Sequence, residues 1–453
     1  MDVLDLTRLQ FAVVTIYHYF FVPLSISLAA TAAGLQIAWL RTKREDYLHL
    51  TKLVGKLLIV TFAVGVVTGL VQEFQFGLGW SAFAKFYGDV FGPTLAIEGM
   101  LAFFLEATFL ALWYFGWDRL PRAIHTACIM IVAAGTLLSA FIILAANSFM
   151  QNPVAYALDP VTGRARLTSF TDLMLNKVNL AAFPHTMAGA IMVGGALLLA
   201  IGVWRLAADP AYRVLARLGA WLTLSGGALT ALTGDHLGKV ITEVQPMKMA
   251  AAEALYNSTS GAPFSVFATG APLPEFSLQI PWLLSILAKG NPGATVEGIN
   301  DLQAQYVAEY GPGSYVPMIP VAFWTFRLMI GVGMLAAAIA AYYLWRTRKA
   351  RTAPHWLTRW LPLIPLLPAA ANTFGWIFTE TARQPWIAFG ISKVADGISP
   401  GLTSSEVVAS LAGFTVVYGI VAVVWLRLVR HLARQPLAPA EVAAEKPEPV
   451  PVY

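Results

Sequence analysis

Charge is the scarcest property of this 453-residue chain: Asp, Glu, Lys and Arg make up 12% of it, against about 25% in soluble proteins. So few charges cannot cover a water-facing surface of that size. This excludes an ordinary cytosolic enzyme, a disordered chain and a nucleic-acid binder. Cysteine is nearly absent. The single Cys128 excludes an intrachain disulfide and any cysteine-based metal cluster, and its apolar neighbours make it a core residue. A positively charged leader is missing as well. Asp2 and Asp5 precede the first apolar stretch, so the N-terminal segment is expected to stay on the mature protein. No internal repeat is evident.

What is abundant is apolar sequence, 57% of the chain. A bilayer core needs about 20 apolar residues per helix. Nine runs reach that length, near residues 11–40, 54–73, 94–117, 123–146, 181–204, 215–234, 320–345, 357–380 and 407–428. They are called spans 1 to 9. The pattern predicts an all-α, polytopic membrane protein, a bundle of nine transmembrane helices. Several spans are rich in Ala and Gly, as helices packed on helices in lipid tend to be. Trp80, Trp113, Trp117, Trp345, Trp356 and Trp360 sit near predicted ends, where an aromatic belt belongs.

The basic residues orient the bundle. The side opposite the N-terminus holds 19 of the 30 Lys and Arg residues, within 41–56, 119–122, 205–217, 346–359 and 427–446, but only 7 of the 25 acids. That side is therefore expected to be cytoplasmic, with the N-terminus outside and the C-terminus inside. Residues 1–234 then hold spans 1 to 6, and 235–319 form a long extracytoplasmic loop. Residues 320–430 hold spans 7 to 9, and 431–453 form a disordered cytoplasmic tail rich in Pro and Glu. So long a loop is uncommon without a role of its own. Within it, PMKMAAAEALY (246–256) reads as a short helix.

Ionisable and metal-ligating side chains inside a membrane are costly and mark function by default. They are few here: His18 in span 1, Glu98 and Glu106 in span 3, and His185 at the start of span 5. Arg327 and Met329 open span 7, Glu380 closes span 8 with Arg383 just beyond, and Asp235 and His236 end span 6. His18, Glu98, His185 and Met329 come early in spans that run inward, and Glu380 late in one that runs outward. All five thus share the outer half of the membrane. Two His, one Met and buried carboxylates suit haem iron, which takes His or Met axial ligands. The other histidines, His49, His125, His355 and His431, fall in loops or tails, too few within the membrane for a copper-haem oxidase or a dihaem cytochrome b. Each residue also has a bland reading. A lone intramembrane His often only bonds two helices, Met329 alone is a core residue, and Glu380 with Arg383 is an i,i+3 ion pair. The common depth favours a cofactor site. The rival is a secondary transporter with a carboxylate proton relay, which calls for paired repeats and broken half-helices near mid-membrane.

Seven segments in order carry a resemblance: RLQFAVVTIYHYFFVPL around His18, IEGMLAFFLEAT with Glu98 and Glu106, FPHTMAGA with His185, GDHLGK, QPMKMAAAE, FWTFRLMIGVG with Arg327 and Met329, and GWIFTETARQPW with Glu380 and Arg383. Together they resemble subunit I of the cytochrome bd quinol oxidases over nearly the whole chain. Two departures stand out. Ala382 replaces the usual Gly before the Arg of the family's GRQPW motif, which affects local packing. The loop also lacks the long insertion of some members, which resembles the short-loop subgroup and leaves ubiquinol and menaquinol both open.

The resemblance implies a bacterial inner-membrane terminal oxidase that oxidises quinol and reduces O2 to water. It implies a low-spin haem b, a high-spin haem b and a haem d, with a further high-spin haem b as the alternative at the third site. His185 and Met329 resemble the axial ligands of the low-spin haem, and His18 and Glu380 those of the high-spin pair, in an order left open. Glu98 resembles a carboxylate beside that pair, and Trp376 an aromatic between haems. Arg327 and Arg383 resemble positive groups that hold haem propionates or stabilise the reduced centres. Lys248 and Glu253 resemble the quinol-site pair of the loop, and five residues put them about 140° apart on a helix, too far round for a simple surface ion pair. Because the haems would lie near the outer face, protons for water would come from the cytoplasm and generate a membrane potential. Glu106 is expected as an inner relay and Glu98 as its outlet, about 12 Å and 80° apart on an ideal helix, bridged by a group such as Ser139. The family also implies a second large membrane subunit, subunit II, and a small single-helix subunit.

Overall fold

The computed structural model describes residues 2–437 except Ala271 and Pro274. The expected tail therefore lies outside the described residues from 438 onward. Before that, the last helix runs through the first four residues assigned to it, ending at Arg434.

Among the described residues nine helices are long and apolar enough to cross a membrane: Val3–Thr42, Glu45–Leu78, Ser81–Phe115, Arg122–Gln151, Lys177–Arg205, Tyr212–Val244, Ile319–Arg346, His355–Thr381 and Ser404–Arg434. They coincide with spans 1 to 9 and overrun the predicted limits, because polar residues beyond the apolar run continue the same backbone ladder, except that span 3 ends at Phe115, short of the expected 117. Span 6 shows this best. It ends at Val244, so Asp235 and His236 lie inside it and not at its end, and Asp235 takes Lys239 as an i,i+4 partner at 2.5 Å. The loop proper starts at Gln245.

Two spans are interrupted. Span 3 changes to a π-helix over Glu98–Phe103, with Pro93 before it and Gly99 within it, both weak helix formers. Span 8 is built from His355–Trp360, a tight turn at Leu361–Leu363, and Leu366–Thr381. Pro362 and Pro365 remove successive backbone donors at the break.

Span 5 is the axis of the bundle: 89% of its most apolar window is buried, against 12% for span 3 and 11% for span 9. It lies on span 6 with nothing between. A Cβ on Gly219 would stand 2.2 Å from the Leu199 nitrogen, and one on Gly202 would stand 2.4 Å from the Ala216 nitrogen. Only glycine lets two backbones come so near.

Three expectations need correction. His125 is not in a loop but in the first turn of span 4, buried. It accepts from Gln36 Nε2 at 2.8 Å through Nδ1, donates to the Trp113 carbonyl at 2.7 Å through Nε2 and stacks on the Trp113 ring. His49, His355 and His431 likewise stand on helices. Trp113 and Trp80 are buried and do not belong to an interfacial belt, whereas Trp345, Trp356 and Trp360 are exposed. The indole of Trp113 donates to Gln36, so its polar edge is satisfied inside the protein. Cys128 is buried, as expected.

The connections carry the only sheet structure among the described residues, four two-stranded antiparallel pairs. In the long loop, the helix Pro246–Glu253 is followed by the hairpin Phe264–Thr269 with Phe276–Ile280, then by helices Leu283–Lys289 and Ile299–Tyr310. The first helix is buried from Met247 to Glu253, because its alanines let it sit directly against the spans. Ala382 packs with Ala251 and Ala322, the local packing role expected of it.

Candidate functional site

The two intramembrane histidines are held alike. On span 1, His18 Nδ1 lies 3.0 Å from Thr68 Oγ1 of span 2. The Thr68 hydroxyl donates to the carbonyls of Val64 or Gly65, so it accepts from the histidine. On span 5, His185 Nδ1 lies 3.1 Å from the Thr230 carbonyl of span 6, which can only accept. Both rings therefore carry their proton on Nδ1 and keep the Nε2 lone pair free, the form in which histidine ligates a metal. Glycines make room for both rings. A Cβ on Gly69 would be 3.1 Å from His18 Cε1, and a Cβ on Gly234 the same distance from His185 Cε1. Met329 of span 7 faces span 8, where a Cβ on Gly375 would be 2.9 Å from its sulfur.

At the end of span 8, Glu380 pairs with Arg383 at 2.5 Å and accepts from Asn147 Nδ2 of span 4 at 2.9 Å. One turn earlier, Trp376 stacks on Tyr19, ring centroids 5.6 Å apart. Glu98, the first residue of the π segment, accepts from Ser139 of span 4 at 2.6 Å. Glu106 is buried against Gly135, and its Oε1 has no partner. The π segment lies between these two carboxylates, so the separation calculated for an ideal helix does not apply to them.

The loop helix aims its two ionisable residues apart, as their spacing predicts. Lys248 Nζ donates to Gln151 Oε1 at 2.6 Å. Glu253 Oε2 takes Arg327 Nη2 at 2.7 Å and the Ser265 N–H at 3.2 Å, while its Oε1 is buried without a partner. Burial, with Arg383 nearby, lowers the Lys248 ammonium to about 7, against the pull of Glu380. Burial pushes the Glu253 carboxyl up to about 7, against the pull of Arg327.

The two arginines differ. Arg327 is engaged with protein on every nitrogen, by Ser265 O, Ala252 O, Phe323 O and Glu253. It therefore braces the loop helix on span 7, and the expected propionate contact is not its evident role. Arg383 pairs with Glu380 through Nη2 but leaves Nε and Nη1 buried and unpartnered. An anionic group such as a propionate would satisfy them.

Asn147 and Gln151 were not foreseen. One turn apart on span 4, they join Glu380 to Lys248, and their i,i+4 spacing in an apolar span was the available signal. Thr68 and Thr230 escaped for the same reason, since their groups are common in any helix.

Among the described residues, no three His, Cys, Asp or Glu side chains gather to hold a bare metal ion. Single imidazoles with free Nε2, a thioether on a glycine, and an arginine with orphan donors instead suit a macrocycle that brings most of its own ligands. Haem fits these residues. Fold and site thus define a polytopic all-α membrane protein whose buried side chains suit a haem.

The family follows from comparison with known proteins. Residues 6–437 match the family described as cytochrome bd terminal oxidase subunit I, and the chain belongs to that family. It is 41% identical to cytochrome bd ubiquinol oxidase subunit 1 of Bacillus subtilis, over 93% of this chain and 91% of that protein. It is 32% identical to cytochrome bd-II ubiquinol oxidase subunit 1 of Escherichia coli, over 98% and 99%. The solved structure of bd oxidase from Geobacillus thermodenitrificans superposes with a TM-score of 0.87 at 29% identity, covering 96% of this chain and 99% of that one. Family membership makes the chain a haem-containing subunit of a quinol:oxygen oxidoreductase in a bacterial membrane, with a subunit II as partner. The transporter alternative falls with it.

Proposed function

We propose that this chain binds a low-spin haem b between His185 and Met329 and two high-spin haems at His18 and Glu380, the third being haem d or a further haem b. The observation that carries this is the shared setting of His18 and His185, each anchored through Nδ1 with Nε2 free. When bound, the haems supply electron acceptance and oxygen reduction; the chain's side chains do the rest. With haem bound, Glu98 would serve the high-spin pair, Trp376 would pack against a haem, and Arg383 would hold a propionate. Arg327 fixes the loop helix and keeps Glu253 pointing one way.

Quinol, whether ubiquinol or menaquinol, binds at the loop between spans 6 and 7, within residues 245–318. Lys248 orients a quinol oxygen, and the free Glu253 Oε1 accepts its proton. With the N-terminus outside and the C-terminus cytoplasmic, that proton is released outside. Protons for water come from the cytoplasm, through Glu106 and then Glu98, so turnover is electrogenic. Two observations support the route: the unpartnered Glu106 Oε1 and the Ser139–Glu98 hydrogen bond. Subunit II completes the route, and a small single-helix subunit joins the complex, both packed on faces that spans 3 and 9 leave open.

The test is a reduced-minus-oxidised spectrum with haem extraction on the purified complex, together with quinol-dependent oxygen consumption. Three haems and quinol-dependent uptake are expected. A complex without haem absorbance sinks the reading.

A further inference from the structure

The hairpin Phe264–Thr269 with Phe276–Ile280 is amphipathic the wrong way round for water. Its register puts Ser265 opposite Gln279 and Ala268 opposite Ser277, and on this small, polar face Ser265 and Ala268 are buried against the protein. The other face carries Phe264, Phe267, Phe276, Leu278 and Ile280. Of these, Phe276, Leu278 and Ile280 are 60%, 58% and 46% exposed, and Trp282 beyond them is 60% exposed. An antiparallel sheet with one face in water puts its apolar residues inward. Neither strand, FSVFAT or FSLQI, holds a charge. Phe276, Leu278 and Ile280 thus share one exposed face, and exposed large apolar side chains grouped in this way mark an interaction surface.

Its depth says what it meets. Phe267 packs edge-on against Trp324 at 5.2 Å, Phe264 lies 6.5 Å from Phe326, and Arg327 donates to the Ser265 carbonyl, all three partners being on span 7. Span 7 has 28 residues. At 1.5 Å each it is about 42 Å long, against about 30 Å of hydrocarbon, which leaves about 6 Å beyond each boundary, or four residues. The acyl boundary then falls near Phe323, and Trp324, Phe326 and Arg327 lie just past it. Lipid-exposed sheet edges are excluded from the hydrocarbon. The edge of Phe264–Thr269 is satisfied at Ser265 by Glu253 and Arg327, and the outer edge of Phe276–Ile280 needs water, so that strand belongs at the level of the headgroups with its apolar side chains turned inward. Aromatic residues such as Trp282 favour the interface itself.

We propose that the Phe276–Ile280 strand and Trp282 rest in the lipid of the leaflet on the loop side, as an interfacial anchor that holds the loop against the bundle. This stands on the fold alone and is independent of which quinol or haems the chain takes. In the assembled complex in nanodiscs, Leu278→Cys carries an environment-sensitive fluorophore, the native Cys128 being buried. Val161→Cys, 91% exposed on another connection, is the aqueous control. Phospholipids with brominated chains are expected to quench the label at 278 and spare that at 161, and iodide to do the reverse. Iodide quenching at 278 equal to that at 161 overturns the proposal in favour of a water-facing hairpin. Protection from both quenchers overturns it in favour of a protein partner. Because the label itself could disturb the strand, the unmodified complex is also exposed to a photoactivatable phospholipid. Cross-links within 276–282 are expected, and their absence, while the exposed faces of the spans are labelled, counts against the anchor.

Discussion

At the scale of single residues, the loop helix sets a pH signature. Glu253 must be ionised to accept a proton and is held up at about 7 by burial. Lys248 must be protonated to donate as a cation and is held down to about 7. Glu253 faces only Arg327 among charged groups, and Lys248 feels Arg383 and Glu380. Quinol-dependent turnover should thus fall on the acid side as Glu253 protonates and on the alkaline side as Lys248 loses its proton. Glu253→Gln is expected to remove the acid limb along with most activity, and Lys248→Gln the alkaline limb, with the haem bands intact in both. Unchanged pH profiles in both variants would show that neither group titrates in catalysis. The ligands separate by a different measurement. His185→Ala should abolish the low-spin band in a reduced-minus-oxidised spectrum, and Met329→Leu should leave a high-spin or weakly held haem. If both variants keep a normal low-spin spectrum, the iron is ligated elsewhere.

At the scale of elements, length and hydropathy were enough to find each of the nine spanning helices among the described residues, because a helix satisfies its own backbone in lipid and then needs only apolar side chains over that length. Interruptions were not legible. The π segment at Glu98 and the break at Leu361–Leu363 depend on how neighbours reclaim backbone bonds freed by Pro93, Pro362 and Pro365. The single charged or metal-ligating residues of the site stood out against an apolar background. Their supports did not: Thr68, Thr230, Asn147 and Gln151 matter through their partners across helices, and a sequence does not say which helices touch. Nor did it say that Arg327 would spend its donors on Glu253 and the loop backbone. The glycines of spans 5 and 6 carry the strongest packing prediction. Gly219→Ala sets a methyl into the backbone of span 5, where nothing can give way. Overpacking of this kind costs about 1–3 kcal/mol, and more against rigid backbone. Thermal unfolding of the complex, followed by haem release, should therefore begin at a clearly lower temperature. The same change at Gly99, where a Cβ meets nothing within 4 Å, should leave it unmoved.

For the whole molecule, the distribution of Lys and Arg predicts one orientation, and protease added to intact cells checks it. Cleavage is expected within the exposed parts of the loop after Gln245, and the segment after Arg434 should stay protected. Cleavage of that segment from outside would invert the topology. The burial of span 5 reaches further, into how the chain is made. Synthesis releases span 5 before its neighbour exists, and this helix bears Asn179, His185 and a strip of glycines with no side chains to offer lipid. It is still apolar enough to enter a bilayer alone, with a mean hydropathy of 2.1. Span 6, at 1.2 the least apolar of the nine, then meets a glycine-lined surface already in place, so the earlier helix serves as the seat on which the later one settles.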